Sequence, residues 1–254
     1  MINPTISLML QHRSVRKFTP DRLSDETIRT IVRAGQQAAF ASQLYSLILS
    51  RKKNLPFHAA AMFTICVDMH RMELIMAKRG WKTVANNMMM LIFGMQDASL
   101  MAQNMILAAE SLGLGTCLLG AAPSVAGKLQ KLYHLPPRVF PLVQLVIGHP
   151  AEEFTPRPRY PYEFTCFEDR YPELPDKDVA KAMQVMDEGY LSQGYYKKQH
   201  TKIPLEHGKK ETFTYDNYSW TEHISRKWGQ WHADINETLE QLGICDFPIK
   251  PKKK

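Results

Sequence analysis

The chain has 254 residues, 44% hydrophobic and 22% charged, with a formal net charge of +7. This is globular composition, sufficient for one large core or a core with an appended arm, and no apolar run approaches the roughly 18 residues of a bilayer span. Lys250, Lys252, Lys253 and Lys254 supply four of the seven charges, and no helix-turn-helix, zinc-finger or RNP-like pattern argues for nucleic acid. Cys66, Cys117, Cys166 and Cys245 contain no CxxC pair, so neither a metal site nor a disulfide framework is expected. Met1-Ile2-Asn3-Pro4 lacks a signal peptide's basic flank, and the expected setting is cytoplasmic.

Asn3-Pro4 reads as an N-cap followed by proline at the first helical position, with Ile6, Met9 and Leu10 on one face. Ser24 caps a second helix, expected over residues 25–38, with Leu23 and Ile28 at the spacing of a hydrophobic staple. Residues 45–50 and 61–67 read as strands, joined by a short connection containing Pro56. A helix is expected over part of 68–78, and Met88-Met89-Met90 reads as adaptable packing. Residues 97–112 form the strongest predicted helix, apolar on nearly every face, which places it at the centre of the fold or at a subunit interface. A strand at 116–119, a helix at 124–133 capped by Ser124, and a strand at 140–147 complete this part. Residues 155–161 are extended and basic, since their prolines forbid a helix. A helix follows at 178–191. Residues 195–219 read as a mobile polar excursion, and residues 220–242, with Trp220, Trp228 and Trp231, as a final amphipathic helix.

One stretch carries concentrated chemistry. His12-Arg13-Ser14-Val15-Arg16 places two guanidinium groups, an imidazole and a hydroxyl in five residues, a donor set suited to phosphate. Its bland counterpart is a solvated basic helix end. Glu110 reads as a helix-surface or interface residue, and Cys117 as a buried small hydrophobe. Gly113-Leu114-Gly115 follows a helix and not a strand, so a Rossmann reading fails. No GxSxG, HExxH or P-loop pattern is present.

In combination, HRSVRKF, a small-residue loop leading into a strand, AQNMILAAESLGLGTCLLG and GHPAEEFTPRPRYP resemble the FMN-dependent nitroreductase family. The chain is similar to its longer branch of NADPH-dependent, oxygen-insensitive nitroreductases and NADPH–flavin oxidoreductases. The resemblance implies an α+β fold, a nitroreductase-like three-layer α-β-α sandwich with a central, mostly antiparallel sheet. It implies a homodimer with FMN at the subunit interface. Residues 1–150 would form the FMN-binding core and residues 151–249 an extension that completes the phosphate site and covers the active site. Residues 250–254 would be a basic tail.

The resemblance also implies site residues. His12, Arg13 and Ser14 would face phosphate and ribityl oxygens, and Arg16 the flavin pyrimidine edge. Arg157 and Arg159 would grip the same phosphate. Ala41, Ser42 and Gln43 would run along the flavin from the partner subunit, and Leu119, Gly120 and Ala121 would present backbone to the ring. Lys209 and Lys210 stand nearest to the position of a 2′-phosphate-binding pair. No side-chain catalyst and no metal are implied. The activity implied is two-electron transfer from NADPH, with NADH as a possible substitute, to small-molecule oxidants: nitroaromatics, quinones or flavins. No nucleic-acid or membrane partner is expected. The alternatives are a specialised flavoenzyme such as a dehalogenase or dehydrogenase, and a non-catalytic FMN-binding protein. The chain departs from the pattern at the short 51–58 connection, at Ala121 where a second glycine is expected, and in the 195–219 stretch.

Overall fold

Side-chain alternation and burial explain how four apolar runs become one sheet. In this computed structural model, which describes residues 2–206, 208–230 and 235–244, β1 (Tyr45–Ser50), β2 (Ala61–Asp68), β3 (Gly115–Leu119) and β4 (Val139–Gly148) pair antiparallel in the order β1-β2-β4-β3. β2 is buried along its whole length, as an inner strand covered on both faces should be. The β2–β4 register slips once. Ile65 opposes Val143 while Cys66 opposes Pro141, so Leu142 is the extra residue of a bulge. Proline has no N–H to give to the ladder, and a bulge is where an inner strand tolerates it.

One sheet face, through Tyr45, Ala61, Phe63, Ile65, Leu145 and Ile147, packs on α4 (Asn87–Ser111). Met101, Met105 and Ile106 of that helix are essentially inaccessible to water. Each such side chain contributes about 1.5–3 kcal/mol relative to an exposed one. Helix α2 (Asp25–Gln36) closes on α4 at Gly35, where a Cβ would lie 2.6 Å from Met105 Cγ. Ser24 caps α2 by accepting from Thr27 N at 3.0 Å, and Leu23 and Ile28 are both buried as a staple requires. Helix α1 (Pro4–Leu10) is capped by Asn3 as its sequence predicts. Helix α3 (His70–Lys78) follows β2 directly. The opposite sheet face is covered by Val15, Phe18, Leu55 and Ala59 on Met62, Cys117 and Val146. The architecture is thus α+β, with an antiparallel sheet backed by helices.

Several boundaries differ from the sequence reading. Helix α4 begins ten residues before Asp97, because Asn86 accepts from Met88 N (2.9 Å) and Met89 N (3.3 Å) and so starts the helix at the methionine run. Ser124 caps nothing. It lies in a 3-10 turn (Pro123–Val125), and α5 (Ala126–Tyr133) follows without a side-chain cap. The single helix expected over 220–242 is interrupted at Ile235, giving α8 (Trp220–Gln230) and α9 (Asn236–Gln241), with Gly243 at φ +64° as terminator. Trp231, Cys245 and the basic tail 250–254 lie outside the described residues.

The chain divides into two compact units, residues 1–154 with 234–254, and residues 155–233. In the second, α6 (Asp176–Ser192), α7 (Tyr195–Gln199) and α8 surround a core of Met186, Tyr190, Tyr196 and Tyr218. The expectation of a loose excursion over 195–219 is therefore corrected. Tyr196 is 4% and Tyr218 1% exposed, and Tyr218 Oη accepts from Ile203 N at 3.0 Å. Arg226, also buried, binds both carboxylate oxygens of Glu211 at 2.8 Å, Glu222 at 2.7 Å and the Ile203 carbonyl at 2.8 Å. The hydrogen bonds from Arg226, with one from Phe213 N, hold the Glu211 carboxyl far below the usual range. Among the described residues no helix is long and apolar enough to cross a membrane.

Candidate functional site

After α1 the chain runs extended along β3. Ser14 bridges Thr116 in parallel, Val15 N donates to the Thr116 carbonyl at 2.8 Å, and Phe18 bridges Pro150. Alternation in an extended segment sends successive side chains to opposite sides. Arg13 and Val15 accordingly line a cavity of about 510 Å³ with Gln11, Glu110 and Phe154. Ser14 and Arg16 turn the other way, toward Cys117. Burial raises the Cys117 thiol above its ordinary value, opposed by the Arg16 charge and by a hydrogen bond with Ser14. The close approach of this segment requires Gly115, where a Cβ would sit 2.6 Å from Val15 Cγ2.

His12 Nδ1 lies 2.8 Å from Glu110 Oε1, and the same oxygen accepts from Thr116 Oγ1 at 3.1 Å. Glu110 is thus no solvated helix-surface residue, since its side chain is only 10% exposed. Arg13 donates to the Gln11 carbonyl at 3.1 Å. Among the described residues neither Arg13 nor the half-buried Arg16 has a carboxylate partner within ion-pair distance.

The loop before β1 is fixed by a residue the sequence reading missed. Asp97, 1% exposed on α4, accepts from Ala41 N (2.6 Å), Ser42 N (3.1 Å) and Leu44 N (2.9 Å). Arg71, paired with Asp68 at 2.9 Å, donates to the carbonyls of Gln43 and Tyr45. Gln43 holds φ +53°, a conformation that costs a side-chain-bearing residue free energy unless its surroundings impose it. The result is a fixed shelf on which Ala41, Ser42 and Gln43 are exposed. An aspartate in the middle of a largely apolar helix was the available signal for Asp97, because buried acids require partners.

Leu119 ends β3 and packs beside the Val15 cluster, while Gly120 and Ala121 are exposed. A Cβ on Gly120 would meet nothing within 4 Å, so this backbone borders open space. The remaining predicted residues belong to the second unit. Arg157 donates to Gln193 Oε1 at 2.5 Å and stacks 4.0 Å above the Tyr195 ring. Arg159 Nη1 donates to the carbonyls of Arg157 (2.9 Å) and Pro158 (3.0 Å). Lys209 and Lys210 are exposed and immediately precede Glu211, the residue anchored on Arg226. Within the first unit, then, the structure brings His12–Arg16, Glu110 and Thr116–Cys117 together. Within the second it joins Arg157 to Tyr195 and Gln193.

Comparison with known proteins accounts for this arrangement. The sequence matches the Nitroreductase family over residues 9–52 and 48–149. It is 34% identical to the FMN reductase (NADPH) of Bacillus subtilis over 187 residues, 67% of this chain and 75% of that protein. It is 31% identical to the oxygen-insensitive NADPH nitroreductase of Salmonella typhimurium over 208 residues, 76% of this chain and 85% of that protein. The structure of B. megaterium NfrA1 superimposes with a TM-score of 0.80 at 30% identity, covering 95% of this chain and 99% of the other. The matched segments take in the extended His12–Arg16 segment, the Asp97 anchor and the Glu110–Thr116 junction, and the chain belongs to the nitroreductase family.

Proposed function

We infer that this chain is an FMN-dependent oxidoreductase that transfers two electrons from NADPH to nitroaromatics, quinones or flavins, the reductant and the oxidant using one site in turn. Family membership and the NADPH-dependent reductases among its relatives support the reaction class. The observation that carries the reading at the site is Arg16, half-buried near Cys117 of β3 with no acid to balance it among the described residues. A guanidinium in that position calls for an anionic or strongly accepting ligand. Ser14 and Arg16, on one side of the extended segment, offer donors that fit a flavin nucleotide, which when bound supplies the hydride-accepting chemistry itself, and we assign Arg13, which lines the cavity on the other side, to its phosphate on the family resemblance.

The protein's own residues bind and orient. Asp97 keeps the 41–44 backbone fixed without requiring reorganisation when a ligand arrives. The open backbone at Gly120 leaves room for a planar ring. We assign Arg157 and Arg159 to the same phosphate, and Lys209 and Lys210 to the 2′-phosphate of NADPH. A homodimer is supported by apolar surface on one unit: Met9 and Leu10 of α1, and Met89, Phe93, Met95 and Leu100 of α4, are exposed to 39–66%. Side chains of this kind, in such number, mark an interface. Light scattering should return about twice 29.2 kDa.

The test is titration of apoprotein with FMN, followed by bleaching with NADPH under nitrogen. Arg16→Ala and Arg13→Ala should each weaken FMN binding by about 1.5–3 kcal/mol, the range for a charged hydrogen bond. Unchanged affinity in both variants refutes the site, and a yellow protein that NADPH cannot bleach refutes the activity.

A further inference from the structure

Glu110 stands where a carboxylate is electrostatically misplaced. It occupies the last turn of α4, which ends at Ser111, and the C-terminus of a helix carries partial negative charge. Its side chain is nevertheless 10% exposed and points to His12 and Thr116. Packing alone does not require an acid here, since a neutral side chain of the same shape avoids the unfavourable dipole. Local violations of this kind concentrate at functional sites.

The geometry specifies what the acid does. A carboxylate has no hydrogen to give, so the 2.8 Å bond places the proton on His12 Nδ1. Thr116 Oγ1 donates to the same oxygen, and the Thr116 carbonyl is taken by Val15 N, so the acceptor is held from β3 as well. In its neutral form, His12 then carries its lone pair on Nε2. That nitrogen has no partner among the described residues, and the side chain is 29% exposed. Nε2 is thus an acceptor, matched to a hydroxyl group and mismatched to a phosphate oxygen. Resting on the FMN reading above, we propose that Glu110 is a positioning residue. It fixes the Nδ1–H tautomer of His12 so that Nε2 accepts a hydrogen bond from a hydroxyl of the flavin's sugar-alcohol chain, leaving phosphate to Ser14 and the arginines.

The experiment uses the full-length protein, FMN, and an FMN analogue whose chain is a plain alkyl phosphate. Nitrogen-15 NMR of the His-labelled apoprotein should show His12 protonated at Nδ1. In Glu110→Gln, which keeps the shape but can offer either an oxygen or an NH2 to the ring, the two tautomers should mix. FMN affinity should fall about three- to tenfold, the scale of one hydrogen bond, while analogue affinity stays unchanged. Thermal unfolding of the same variant controls for general destabilisation, which weakens both ligands together. An Nε2–H tautomer in the native protein, or an FMN-to-analogue ratio unaltered by Glu110→Gln, overturns the assignment. Failure of the native protein to bind FMN at all overturns the functional reading together with it, whereas normal FMN binding with an unaltered ratio overturns this inference alone.

Discussion

The two units are stabilised by different physics. The first buries aliphatic and methionine side chains between a regular sheet and two long helices, with Ile31, Ile65, Met101, Met105 and Leu145 almost wholly enclosed. The second has no strand among its described residues. It is built from tyrosines stacked edge to face, such as Tyr196 on Tyr218 at 5.2 Å, and from the ion pairs of Arg226. Aliphatic packing is non-directional and tolerates volume-conserving change. Rings and ion pairs are directional, so their worth depends on each partner being in place. The first unit should therefore be robust nearly everywhere except at its few buried polar anchors, and the second sensitive throughout.

The largest effect should come from an exception within the robust unit. Asp97→Ala leaves three backbone N–H groups without their acceptor, one of them on buried Leu44. We expect a loss of about 3–4 kcal/mol, against under about 1.5 kcal/mol for Met105→Leu in the same core. Urea denaturation of both variants checks the contrast, and similar midpoints would break the comparison. Next in size, Arg226→Met keeps bulk but removes hydrogen bonds to two carboxylates and a carbonyl. Glu211 and Glu222 are exposed enough to be rehydrated, so the loss should be about 2–3 kcal/mol, with near-ultraviolet circular dichroism from the tyrosine cluster reporting it.

The same contrast governs what the sequence revealed. Strand β1 matched its predicted bounds because a short apolar run between two serines, Ser46 and Ser50, is a local signal. Helix α4 was recognised only from Asp97 onward, since its methionine-rich start looks like no particular element until Asn86 is seen to cap it. Both anchors of the candidate site escaped. Asp97 and Glu110 lie 56 and 98 residues from the groups they bind, and no local pattern encodes such partners. In the second unit almost nothing was legible over 195–219, because charged and aromatic residues with no period read as solvated loop. Lys202, Glu211 and Arg226 form an ion-pair cluster only when the fold brings them together.

A functional consequence of the directional unit comes third in size. Lys209 and Lys210 precede the anchored Glu211, so they are presented from a tethered backbone. An ammonium supplies charge without the paired geometry of a guanidinium, so NADPH should be favoured over NADH about tenfold. Lys209→Ala with Lys210→Ala should erase about 1–2 kcal/mol of that preference in kcat/KM. An unchanged ratio would remove this loop from the site.

The smallest effect is in acid. In the second unit two groups are held below their ordinary values. His223, ordinarily 6.5, is lowered by burial and then by Lys227 and Arg226. Glu211, ordinarily 4.5, is lowered by Arg226. In each case the unfolded chain takes up a proton before the folded one does, so stability is complete above the ordinary value and declines as pH falls. The decline should have two stages, starting near about pH 7 for His223 and about pH 5 for Glu211. His223→Gln, which retains an acceptor for the Tyr218 hydroxyl 3.1 Å away, should remove the upper stage and leave the lower. Glu211→Gln should do the reverse. Urea midpoints read from the tyrosine signal between pH 8 and pH 3 decide the matter. A native profile flat down to about pH 5 would show that His223 titrates freely and that the aromatic cluster does not exclude water from it.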